Sequence, residues 1–270
     1  MTDLTRDVWR RRPQTDMTIV DAHAHAGPYS LFFIPDSDPA SMVRVMDHCG
    51  VATTVLSTNL AIQLDVRAGN EATAAAASAF PGRLVGYITV NPWQDPAAEI
   101  ARWGDDPRFV GFKLHPELHA YPLTGSRYDP VWEFAEATGA PVLTHTWAGS
   151  VYNGLDQLET VAAAHPKAVI LAGHAGATMP GYEAAIEVAR RHPGVILEIC
   201  GSFNHGDVIS RMVDEVGSGQ VVFGSDFPFI DLRFSLGRVL FARMSEADRS
   251  AVLGGTMTRL LGWRSAPQRA

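Results

Sequence analysis

Short apolar runs recur along the chain, separated by longer stretches with apolar residues at helical spacing. The runs fall at 19–25, 51–56, 84–90, 109–115, 141–145, 168–174, 195–199 and 221–226. Each is continuous rather than alternating, the pattern of parallel strands covered on both faces. Helical spacing predicts helices at 39–48, 67–80, 95–103, 128–138, 154–165, 182–191 and 206–216, with Gly50, Pro81-Gly82 and Gly139 as stops. The stretch 232–262 reads as helical, with a break near Ser245 and a second interruption at Gly254-Gly255. Eight strand–helix alternations predict an α/β fold, a (β/α)8 TIM barrel in one domain over 17–263. A flexible N-terminal tail at 1–16 and a C-terminal tail at 264–270 are expected to flank it. The competing architecture, a doubly wound open sheet, would carry a Gly-rich dinucleotide loop after the first strand. Ala22-His23-Ala24-His25 stands there instead.

The barrel expectation gives the strand ends a meaning, because the C-terminal ends of all eight strands converge on one mouth. They carry His23 and His25, then Lys113 and His115, His145, His174, Glu198 and Asp226. Residues two apart on a strand share a face, so His23 and His25 present two imidazoles together. Singly, each group has an ordinary use as a hydrogen-bonded strand end, a turn cap or an ion-pair partner. Together they describe a divalent-metal site: Zn2+ is expected, with Mn2+ and Fe2+ as alternatives. Lys113 is one of only two lysines, the other being Lys167. Its favoured reading is a buried ammonium paired to Glu198 or Asp226. The sharper one is a carboxylated lysine bridging a second metal.

Composition narrows the partners. The 270 residues are 46% hydrophobic with a net charge of −7, which lacks the basic footprint of a nucleic-acid binder. Arg10-Arg11-Arg12 is a local cluster in the tail. No apolar stretch has the length of a membrane span, and no apolar run follows the paired arginines as a secretion leader requires. The expectation is a soluble, cytoplasmic protein acting on a small molecule. Cys49 and Cys200 fit no metal or redox spacing and are expected as buried thiols.

The His-x-His strand, Gly111-Phe112-Lys113-Leu114-His115-Pro116, the His145 and His174 strand ends, and Gly224-Ser225-Asp226-Phe227-Pro228 together resemble the amidohydrolase superfamily. More narrowly they are similar to its branch of aminocarboxymuconate semialdehyde decarboxylase-like enzymes. The resemblance runs from the first strand to Trp263. It implies a divalent metal held by His23, His25, His145 and Asp226. Asp226 would also be the general base, and His174 would be a second-metal ligand or a catalytic group. The branch's usual Asn in the C-terminal helix is not evident; Thr256-Met257-Thr258 occupies that region. Members of the family often associate, which suggests a homodimer.

Two chemistries suit these parts. The main expectation is a hydrolase of an amide, lactone or ester, with a metal-activated water, Asp226 as base, and His174 and His115 as donors to the oxyanion. The alternative is a non-oxidative decarboxylase or hydratase of a small carboxylic acid at the same site. A binding module without catalysis is least expected, since base and acid candidates are both kept. Arg127 and Arg67 are candidates to hold a substrate carboxylate. Trp147, Tyr152 and Phe203 are candidates for an aromatic pocket wall, and Glu198 for a substrate contact.

Overall fold

The computed structural model describes residues 17–201 and 206–262, with Arg6 and Arg10. Most of the tail at 1–16, the tail at 264–270 and Phe203 lie outside the described residues. The strands are β1 (Ile19–Ala26), β2 (Val51–Thr58), β3 (Leu84–Val90), β4 (Phe109–Leu114), β5 (Pro141–His145), β6 (Val169–Gly173), β7 (Val195–Glu198) and β8 (Val221–Val222). They form one parallel sheet in sequence order, β1 through β8. Three backbone hydrogen bonds close the ring: Ala22 N–H to Phe223 O at 2.9 Å, Asp226 N–H to His23 O at 2.8 Å and His25 N–H to Phe227 O at 2.7 Å. The predicted TIM barrel is the observed fold.

Two apolar layers hold it. Val20, Ala22, Val55, Tyr87, Leu143, Leu171 and Val222 fill the inside, and Met257 and Leu260 of the last helix (Thr256–Leu261) pack into the same cluster. A larger cluster lies between strands and outer helices. Tyr87 spans the interior, its hydroxyl donating to Ala22 O at 3.0 Å. Removing a buried ring of this kind costs about 3–5 kcal/mol.

The last strand departs from expectation. Only Val221–Val222 count as strand, because residues 223–227 turn from β7 towards β1. The 232–262 stretch divides into helices Leu232–Phe241, Glu246–Ser250 and Thr256–Leu261, with a π turn at Ala251–Gly255. At this turn the backbone passes close to β1: a Cβ on Gly254 would stand 2.0 Å from Thr18 O. Two short helices, Asn59–Gln63 and Pro116–His119, are additional. No described helix is long and apolar enough to cross a membrane.

Candidate metal centre

The His-x-His pair faces the mouth because β1 changes phase. Its register against β2 shifts between Asp21 and Ala24. Val20 and Ala22 therefore pack in the barrel interior, while His23 and His25 line the cavity above them. Such irregularities commonly re-aim side chains beside active sites. His23 Nε2 and His25 Nε2 are 3.2 Å apart, and Asp226 Oδ1 lies 3.2 Å from His25 Nε2 and 3.8 Å from His23 Nε2. Two donors bound to one tetrahedral ion at 2.0–2.2 Å stand about 3.4 Å apart, so these three atoms fit a metal.

Protonation suits it as well. Burial, with the nearby Lys113, holds His23 well below the ordinary imidazole range, and burial lowers His25, His145 and His174 too. Burial pushes the Asp226 carboxyl upward, but the His25 hydrogen bond and the surrounding imidazoles outweigh it and keep the group ionised. Neutral imidazoles and a carboxylate are the forms a metal needs.

His145 and His174 complete the ring, with their centroids 4.5 Å apart. Asn153 Nδ2 lies 2.7 Å from His145 Nδ1. His115 stacks on His145 at 4.4 Å, but it lies just past β4 and caps the helix Pro116–His119. All five histidines, Lys113 and Asp226 line one cavity of about 340 Å³. Tyr29, Phe32, Trp147 and Phe229 form its aromatic wall. Tyr29 meets Phe229 edge-on at 4.9 Å, and Phe229 meets His25 at 5.3 Å. The segment from Gly27 to Asp38 that carries Tyr29 and Phe32 is pinched at its neck, where Gly27 N–H donates to Ser37 O at 2.7 Å.

Several residues stand elsewhere than expected. Glu198 is fully buried behind the site rather than in the cavity, with Oε2 2.8 Å from His23 Nδ1 and Oε1 accepting from Cys200 N–H at 2.7 Å. Burial, partly offset by His174 and the bonds from Cys200, raises its pKa. Such a carboxylate orients a metal-binding imidazole rather than touching substrate. Lys113 Nζ meets His23 Nε2 at 2.7 Å, and neither Glu198 nor Asp226 forms an ion pair with it. Burial, opposed by the charge of Asp226, leaves its ammonium at about 8. Arg127 points away from the mouth, over the Trp93 ring at 4.5 Å with Nη1 donating to Pro92 O. Arg67 is exposed beside Glu71. Tyr152 does not line the cavity.

Two residues escaped the sequence reading. Buried Asp21 accepts Ser225 N–H at 2.9 Å, Ser225 Oγ–H at 2.5 Å and His23 N–H at 3.1 Å. Burial against these bonds puts its pKa at about 7. It ties β1 to the turn that holds Asp226 at φ 60°. An acidic residue inside an apolar run was the available signal. Cys200 reaches His23, His174 and Glu198 without any spacing signature; neither cysteine is in a disulfide, and both are buried.

The model of the family described as amidohydrolase matches residues 20–263. The chain belongs to the amidohydrolase family. Within this family it is similar to a γ-resorcylate decarboxylase of Polaromonas sp. JS666, 24% identical over 301 residues covering 84% of this chain and 92% of that protein. An uncharacterised TIM-barrel protein from Bordetella bronchiseptica superposes with a TM-score of 0.74 at 16% identity, over 93% of this chain and 100% of that one. A dihydroxybenzoic acid decarboxylase of Polaromonas sp. JS666, solved with manganese and the inhibitor 2-nitroresorcinol, superposes at 0.69 with 19% identity, over 93% and 98%. The curated relative is named as a decarboxylase, and the solved one holds manganese; for this chain the structural likeness shows the shared barrel fold. These relatives correct the main chemical expectation: the named relatives are decarboxylases, which overturns the hydrolase reading.

Proposed function

We propose that the protein is a metal-dependent, non-oxidative decarboxylase of a small aromatic acid bearing a hydroxyl beside the carboxylate. The observation that carries the reading is the cavity itself: four aromatic side chains wall about 340 Å³ above an imidazole–carboxylate cluster and one buried ammonium. That volume is at the small end for ligand sites and suits a single ring. The decarboxylase relatives supply the reaction class.

A divalent ion held by His23, His25, His145 and Asp226 would supply Lewis-acid polarisation of the substrate's oxygens; Zn2+ is the proposed ion, given the imidazole-rich donor set. The protein's own groups do the rest. Trp147, Tyr29 and Phe229 hold the ring and exclude water. Lys113 places its ammonium near the bound carboxylate. Asp226, ionised and facing the cavity, accepts the phenol proton at a carboxylate oxygen. The same proton returns to the ring carbon that bears the carboxylate. The carbon–carbon bond then breaks, CO2 leaves, and the phenolate regains a proton from solvent. His174 and His115 orient the substrate oxygens from the β6 and β4 sides.

The test is CO2 release by the metal-loaded protein from 2,6-dihydroxybenzoate, salicylate and 5-carboxyvanillate, with esters and lactones alongside. Turnover of at least one hydroxybenzoate is expected. CO2 from none of them, with hydrolysis of an ester or lactone, would refute the reading.

A further inference from the structure

Asn153 has no exposed surface, yet only one end of its amide is used. Nδ2 lies 2.7 Å from His145 Nδ1, while Oδ1 has no hydrogen-bond partner among the described residues. The backbone holds the residue in place. Its N–H donates to Ser150 Oγ at 3.2 Å, and its carbonyl accepts Trp147 N–H at 3.2 Å. The loop is tied sideways as well: Ser150 Oγ–H donates to Glu117, and Leu123 N–H donates to Tyr152 O at 2.8 Å. The side chain therefore covers the Nδ1 edge of His145 and leaves Nε2 as the ring nitrogen for an ion.

A neutral imidazole carries one ring proton, and that proton must sit on Nδ1 if Nε2 is to bind a metal. As the amide stands, Nδ2 donates to Nδ1, which puts the proton on Nε2. A half-turn of the amide exchanges its two ends, so that Oδ1 accepts Nδ1–H. The turn breaks no other bond, because Oδ1 has no partner to lose. An apolar side chain would serve neither ring form, and a carboxylate only the second. An amide serves both.

We propose that Asn153 is a positioning residue that fits His145 for metal binding by holding its proton on Nδ1. On binding, the proton leaves Nε2 and one is taken up at Nδ1, both through solvent, and the Nε2 lone pair forms the metal bond; nothing is oxidised or reduced. The inference rests on the proposed function only in taking His145 as a ligand.

The test loads the full-length protein with Zn2+ and reads the ring nitrogens by 15N NMR, with His145 assigned through bonds. The wild type should show the His145 proton on Nδ1; a proton on Nε2, or no binding of Zn2+, overturns the proposal. Competition against a chromophoric chelator should show Zn2+ affinity falling about 10- to 100-fold in Asn153→Leu. Asn153→Asp, whose carboxylate accepts from Nδ1–H, should bind at least as tightly as the wild type. A merely structural role would lower Tm in both variants without splitting their affinities. Equal loss in the two, or unchanged affinity in Asn153→Leu, therefore overturns the proposal. Because the ring proton is read in the wild type, a variant that fails to fold leaves the test intact. Failure to decarboxylate any acid would remove the proposed function and leave the ring proton and the affinities standing.

Discussion

Replacing Gly224 by alanine should disable the metal centre without altering any residue that lines the cavity. A Cβ at this position would stand 2.0 Å from Glu198 Oε1, 2.7 Å from Glu198 Cδ and 2.9 Å from His23 Cβ. The carboxylate would have to move by about 1.5 Å to reach ordinary contact distance. It has nowhere easy to go, since Cys200 N–H holds one oxygen at 2.7 Å and His23 Nδ1 lies 2.8 Å from the other. Overpacking costs about 1–3 kcal/mol, and breaking a hydrogen bond to a buried carboxylate adds about 1.5–3 kcal/mol. The sum is about 2.5–6 kcal/mol, or on the order of 10 °C in Tm for a chain of this size. Losing the partner that orients His23 should also weaken metal binding about 10- to 100-fold. Thermal unfolding of the metal-free protein and a metal titration read the two effects separately. Gly219→Ala is the control: nothing lies within 4 Å of its added methyl, so it should stay within about 0.5 kcal/mol of wild type. A Gly224→Ala protein as stable as that control, with unchanged metal affinity, would refute the argument that Glu198 is wedged in place.

Three further outcomes follow from the site. Lys113 ionises at about 8 in the fold against 10.5 when free, so between these values the unfolded chain binds the extra proton and stability rises with pH. Lys113→Met should remove that slope and stabilise the metal-free protein near neutral pH by about 3 kcal/mol; denaturant midpoints near neutrality and at about pH 10 check it, and a retained slope counts against it. Asp226→Asn should keep the fold, by circular dichroism, and lose about 10²- to 10⁴-fold in kcat, while near-normal turnover would exclude Asp226 as the proton carrier. Trp147→Ala opens the wall beside His145, where the two rings stack at 5.9 Å, and should raise KM more than it lowers kcat; the opposite split would put Trp147 in the chemistry.

The barrel was legible because buried parallel strands write themselves as unbroken apolar runs, and all eight are present where those runs fall. The cluster of imidazoles with Asp226 was legible for a related reason: each of its members ends such a run, and a closed barrel brings run ends together. What was hidden depends on contacts distant in sequence. Glu198 shares the inward side of β7 with Ile196 and differs from a cavity residue in depth, lying beneath His23, which its neighbours in sequence do not declare. The phase change in β1 that aims His23 and His25 has no local signature, since Asp21 to His25 reads as an even strand. Arg127 looked available because its loop follows β4, but that loop folds outward onto Trp93. Cys200 meets His174 and His23 at sequence separations of 26 and 177 positions, beyond any motif.

The pinched neck at Gly27 and Ser37 makes the segment above β1 an exchangeable cassette. Its two ends are joined to each other, and Asn59 Nδ2 fixes the base by donating to Gly27 O at 2.8 Å. The span between carries Tyr29 and Phe32 on its inner side and Leu31 and Phe33 outward. Changes of length or sequence there would re-cut the wall of the cavity while β1, held from below, keeps its imidazoles in place. Substrate range in this barrel is therefore open to change at one short insert, independently of the metal chemistry beneath it.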